Sequence, residues 1–97
     1  MKQINVHELR DLIATGDEIA LIDVREDFEH NNFNIGGQLI PLGELIARRN
    51  EIPVDKTVIL YCEKGIRSVI AIQRLETLGF GNLCNLTGGM RAWKSTP

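Results

Sequence analysis

One short stretch of the chain carries the residues from which a nucleophilic site could be built. Cys62 follows directly on Thr57-Val58-Ile59-Leu60-Tyr61 and opens the loop Cys62-Glu63-Lys64-Gly65-Ile66-Arg67. A thiol reacts as its thiolate, and at an ordinary pKa of about 8.5 only roughly 3% of a thiol is ionised at neutral pH. Lowering such a value by about two units takes roughly 2.7 kcal/mol, within reach of a helix N-terminus, several N–H donors and nearby cations acting together. This loop has the residue types to supply all three. Gly65 permits a turn in which successive N–H groups face inward, Lys64 and Arg67 add positive charge, and a helical pattern begins just afterwards. Neither His7 nor His30 lies in a segment that evidently returns to the loop, so a Cys–His pair has no support. A free cysteine at a strand end is often a small core residue. An inert one has no need of a glycine and two cations within the next five positions, and the spacing therefore favours an anion-binding nucleophile.

The elements that must position this loop follow from hydrophobic periodicity. Asn5 and Glu8 form a capping-box pattern, after which Val6, Leu9, Leu12 and Ile13 recur on one helical face until Thr15-Gly16-Asp17. A short strand over Gln3 to Asn5 precedes this helix. Ile19 to Asp23 reads as a buried strand ending in a carboxylate, Arg25 to Asn31 as a short surface helix, and Gln38 to Ile40 as a brief strand after the Gly36-Gly37 turn. Pro41 with Leu42, Leu45 and Ile46 predicts an amphipathic helix entered at proline, its end Ala47-Arg48-Arg49-Asn50 solvated. Thr57 to Tyr61, β-branched and aromatic without polar alternation, is the pattern of a central strand covered on both faces. A helix over about Ser68 to Leu78 follows, with Val69, Ile72 and Leu75 on one face and Gly79 as its stop. Leu83 to Leu86 is the last strand, and Gly88-Gly89 turns the chain into a final helix with Met90, Ala92 and Trp93. Strands and helices thus alternate from end to end. That order predicts an α/β domain with a mostly parallel sheet of about five strands and helices on both faces. In such a sheet ligands bind beyond the carboxyl ends of the strands, where Cys62 falls.

Composition narrows the function classes. A chain of 97 residues fits one domain over 1–97, and 43% hydrophobic with 25% charged residues is the balance of an ordinary globular protein. A net charge of −2 with scattered Lys and Arg offers no field for nucleic acid or a membrane surface. Met1 to Glu8 interrupts every apolar stretch with polar groups, and Val58 to Cys62 is far too short to span a bilayer, so a cytoplasmic protein is expected. The two cysteines, Cys62 and Cys84, are then expected as free thiols, and with two scattered histidines they have no metal-ligand spacing. Neither a metal nor another cofactor is implied.

The sequence closely resembles the rhodanese family, whose active loop often reads C-x-x-G-x-R-S, matched by Cys62, Gly65, Arg67 and Ser68. Three further strings agree in order: Leu21-Ile22-Asp23-Val24-Arg25-Glu26 with L-I-D-V-R-E, Ile40-Pro41-Leu42 with I-P-L, and Leu86-Thr87-Gly88-Gly89-Met90-Arg91-Ala92-Trp93 with L-x-G-G-M-x-A-W. The resemblance implies a three-layer rhodanese-like domain that transfers sulfane sulfur. The matching cysteine, Cys62, would take sulfur from a small anionic donor such as thiosulfate as a persulfide and pass it to cyanide or a thiol. Glu63, Lys64, Gly65, Ile66 and Arg67 would form the substrate-binding loop, with Lys64 and Arg67 holding the donor. Asp23 and Arg25 are expected to organise the neighbouring strand end by hydrogen bonds or an ion pair, and Trp93 to pack. The middle of the chain departs from the family's G-H-I-P-G-A: Phe33-Asn34-Ile35-Gly36-Gly37-Gln38 stands there, Ile40-Pro41 comes one residue early, and His30 occupies a commonly aromatic position.

Two rival readings remain. A cysteine phosphatase uses a similar cradle closed by arginine, but its loop is one residue longer, and no acid other than Asp23 is placed to protonate a leaving alcohol. A persulfide carrier that serves a partner in a sulfur relay, without turnover of its own, would keep the same cysteine. Cys84 could in principle resolve a persulfide as a disulfide, although a packed strand thiol is the simpler expectation.

Overall fold

A computed structural model describes residues 1–97. Five strands form one wholly parallel sheet: β1 (Lys2–Ile4), β2 (Ile19–Asp23), β3 (Gln38–Leu39), β4 (Thr57–Tyr61) and β5 (Leu83–Leu86), in the order β1-β5-β4-β2-β3. The helices are α1 (Val6–Ala14), α2 (Asp27–Asn32), α3 (Ile66–Glu76) and α4 (Gly89–Ser95). β4 is central, paired over its length with β2 and along Val58 to Leu60 with β5. This is the α/β parallel architecture expected from the alternation of patterns.

The pleat of β4 explains its unbroken apolar run. Val58, Leu60 and Cys62 point to one face, where they join Ile22, Ala71, Ile72 and Leu75 under α3. Ile59 and Tyr61 point to the other, among Val6, Leu9, Leu86 and Met90 under α1 and α4. Each fully buried Leu, Ile or Val contributes about 1.5–3 kcal/mol, so the strand that delivers Cys62 is held from both sides. No helix is long and apolar enough to cross a membrane.

Three local expectations are corrected. The segment after Pro41 forms two 3₁₀ turns, Leu42–Glu44 and Arg49–Glu51, in place of an amphipathic helix. Leu45 and Ile52 are buried there while Ile46 is partly exposed, so the apolar spacing reflects anchors for an irregular connection. Arg48 bonds to both Glu44 and Glu51, fixing the turns from outside. α3 begins two residues earlier than its apolar face suggests, because Gly65 already serves as its N-cap. In α1 the capping box of Asn5 and Glu8 is present, but only Val6 and Leu9 are buried and Ile13 stands exposed.

Candidate functional site

β4 delivers Cys62 to the carboxyl end of the sheet, and Gly65, at φ 93°, turns the chain into α3. That left-handed turn brings the Gly65 N–H to 3.0 Å from Cys62 Sγ, and the first turn of α3 adds the Ser68 N–H at 3.4 Å. Ser68 Oγ also lies 3.4 Å from the sulfur, and its hydroxyl donates to the buried Asn85 Oδ1. A hydroxyl has a single proton to give. While it points at Asn85, the oxygen can accept from a neutral thiol; beside a sulfur anion, the same proton can turn to the sulfur.

The loop is fixed from behind by α4. Met90 and Arg91 donate their backbone N–H groups to the carbonyls of Cys62 and Glu63, each at 2.9 Å. These are helix N-terminal donors that would otherwise lack partners, spent here on the loop. Gly89 makes the approach possible, since a Cβ at that position would fall 2.2 Å from the Cys62 carbonyl oxygen and 2.8 Å from that of Glu63. The Gly88-Gly89 pair thus lets the helix start press against the loop.

A buried charge network holds the adjoining strand end. Asp23 is fully buried and accepts from Arg25 Nε and Nη2, from the Arg25 backbone N–H, and pairs with His30 Nδ1 at 2.9 Å. Arg25, 2% exposed, continues to Glu63 Oε1 at 3.2 Å and to the Phe33 carbonyl. Burial disfavours its charge, but the bonds to Asp23 outweigh that and raise its pKa. The network ties β2, α2 and the Cys62 loop together, and Lys94 reaches Glu63 from α4 at 3.5 Å. The atypical segment takes part: Phe33 supplies a carbonyl, Asn34 closes a turn with the Gly36 N–H, and Gly37 leaves room for Tyr61, whose hydroxyl oxygen lies 2.8 Å from where a Cβ would stand.

Cys62 is 1% exposed and forms the floor of a cleft of about 450 Å³ lined by Glu29, Glu63, Lys64, Ile66 and Arg67. The cations do not stand as the sequence suggests. Arg67 is engaged by Glu29 through two parallel bonds, Nη1 to Oε1 at 2.7 Å and Nη2 to Oε2 at 2.8 Å. The Arg67 guanidinium pulls the Glu29 carboxyl down to about 2, and Glu29 in turn raises Arg67. Lys64 is exposed and outside these pairs. Trp93 lies away from the cleft, packed against the α1 side of the core with Arg10 4.5 Å above its ring. Cys84 packs beneath the sheet face opposite to that of Cys62, where burial pushes its thiol up.

Sequence reasoning missed Glu29, Asn85 and the role of Gly89 against the loop. Glu29 meets Arg67 across 38 positions, and Asn85 meets Ser68 across 17, separations that local patterns do not register. Ser68 was visible as the last position of the C-x-x-G-x-R-S string, though not its hydroxyl contact.

Comparison with known proteins agrees with this fold. A rhodanese-like domain matches residues 5–96. The chain is 41% identical over 96 residues to the probable adenylyltransferase/sulfurtransferase MoeZ of Mycobacterium tuberculosis, covering 93% of this chain but only 24% of that protein. It is 33% identical to a sulfurtransferase of Allochromatium vinosum, covering 96% of this chain and 88% of the relative. Among solved structures, the rhodanese-like domain protein of Staphylococcus aureus superposes with a TM-score of 0.89 at 30% identity, over 96% of this chain and 91% of that one.

Proposed function

Because the chain belongs to the rhodanese-like family of sulfurtransferases, we propose that Cys62 is its catalytic nucleophile and carries sulfane sulfur as a persulfide. The Cys62 thiolate attacks the outer sulfur of a donor such as thiosulfate. The donor's S–S bond breaks, its electron pair leaves with sulfite, and Cys62 retains the sulfur as a persulfide anion. Cyanide or a thiolate then attacks the terminal sulfur, and Cys62 departs as the thiolate that began the cycle. The observation that carries this reading is the convergence of the Gly65 and Ser68 N–H groups on Cys62 Sγ at the floor of an open cleft. Such donors stabilise a sulfur anion before and after transfer without a metal.

In this reading Glu63, Lys64, Gly65, Ile66 and Arg67 shape the donor site, while Asp23 and Arg25 act through the position of Glu63. Likeness to MoeZ, whose name joins adenylyl and sulfur transfer, supports a place for this chain in a sulfur relay. The test is steady-state turnover: sulfite release from thiosulfate with cyanide as acceptor is expected from the wild type and absent from Cys62→Ser. Equal rates for the two proteins would overturn the assignment.

A further inference from the structure

The charges around the cleft are almost fully spent on one another. Arg67 is held by Glu29, and Glu63 by Arg25 and Lys94, which leaves Lys64 as the cleft's unpaired cation. A dianion entering this cleft therefore meets two carboxylates already in place and one free positive charge. The Glu29 contact is the more consequential of the two. Its two oxygens take Nη1 and Nη2 of Arg67 in parallel, the arrangement that two oxygens of an incoming sulfonate group would need. Glu29 is itself mostly buried, at 19% side-chain exposure against 34% for Arg67, so it is not simply swept aside by solvent.

We propose that Glu29 is a specificity-determining residue: its carboxylate occupies the oxyanion position on Arg67 and thereby selects singly charged sulfur donors over dianionic ones. The proposal rests on sulfur transfer through Cys62 and names the donor class for that site. A dianion must displace Glu29 and leave a carboxylate unpaired beside its own charge. A donor with one negative charge, carried on the sulfur that Cys62 attacks, needs only the N–H cradle and Lys64. Methanethiosulfonate is the probe that isolates this difference. It replaces one thiosulfate oxygen by a methyl group, keeps the transferable sulfur, and loses one charge. Attack by the Cys62 thiolate forms the same persulfide, and the electron pair of the broken S–S bond leaves with methanesulfinate.

The experiment measures KM and kcat for thiosulfate and for methanethiosulfonate in the wild type and in Glu29→Gln. The wild type is expected to show the lower KM for methanethiosulfonate. Glu29→Gln is expected to lower KM for thiosulfate about tenfold, the scale of a charge-assisted pair that is partly exposed, and to change KM for methanethiosulfonate by less than about threefold. A thiosulfate KM that is unchanged or raised in Glu29→Gln overturns the proposal, because Glu29 would then only steady Arg67. Binding separates this from failure of the transfer reaction itself. In a Cys62→Ser background, sulfate titrated against the Arg67 Nε–H resonance should bind about tenfold more tightly once Glu29→Gln is added. Equal sulfate affinity refutes the role of Glu29 whether or not Cys62 transfers sulfur, whereas tighter sulfate binding with no sulfur loading from either donor refutes only the transfer reaction.

Discussion

Gly89→Ala is the sharpest single perturbation of the cysteine loop, because it adds one methyl group and touches no reactive atom. The Cβ would lie 2.2 Å from the Cys62 carbonyl oxygen, 2.8 Å from the Glu63 oxygen and 2.9 Å from the Glu63 carbonyl carbon, all backbone atoms. Gly89 also holds φ 56°, where a side chain costs about 1–2 kcal/mol. Overpacking against atoms that cannot rotate away adds about 1–3 kcal/mol. The sum is a loss of about 2–5 kcal/mol, unless α4 withdraws and surrenders the Met90 and Arg91 bonds to the loop. Either response moves Cys62. Urea unfolding should show the loss directly, and for a chain of this size Tm should fall by about 4–8 °C per kcal/mol. Sulfur loading from thiosulfate, measured on the fraction still folded, should fall at least tenfold. A variant within about 0.5 kcal/mol of the wild type and fully active would refute the idea that α4 sets the loop by close backbone contact.

The other predictions probe the charges and the second thiol. Arg25→Met leaves the buried Asp23 with only His30 and the backbone N–H of residue 25 as partners and should cost about 3–5 kcal/mol in urea unfolding, and a loss below about 1 kcal/mol would show that the pair is not what holds this strand end. Glu29 has its pKa lowered from 4.5 to about 2 by Arg67, so its contribution is present above pH 4.5 and is lost as pH falls from there towards 2. Because both side chains are partly exposed, that contribution should be about 1–2 kcal/mol. The stability gap between wild type and Glu29→Gln should be open at neutral pH and closed near pH 2; a gap that does not vary across this window would contradict the pairing. Cys84→Ala should retain sulfur transfer, since that thiol packs beneath the opposite face of the sheet, and abolished turnover would assign it a redox role.

The parts of the fold that were legible in the sequence are those governed by local pattern. The apolar run of β4, the capping box of α1 and the glycine stop of α3 each depend on neighbouring residues alone, and each stands in the structure. After Pro41 the same logic misleads, because Leu42, Leu45 and Ile46 fit a helical face while the chain turns by 3₁₀ bonds between buried Leu45 and Ile52. Tertiary anchoring there outweighs local propensity. For the site, the loop from Cys62 to Arg67 was readable because strand end, glycine and helix start are contiguous. The pairing of its charged groups was not, because Glu29 comes from a different helix and Glu63 is claimed by Arg25 and Lys94. A sequence displays which charges exist, whereas their pairing is a property of the folded surface.

The central claim is that Cys62 holds the transferred sulfur, and intact mass spectrometry tests it most directly. Wild-type protein treated with thiosulfate or methanethiosulfonate should gain the mass of one sulfur atom, lose it on addition of cyanide, and yield the adduct on the peptide containing Cys62. Cys62→Ser should gain nothing. A stable sulfur adduct on Cys62→Ser, or a wild type that gains no sulfur from either donor, would contradict the account.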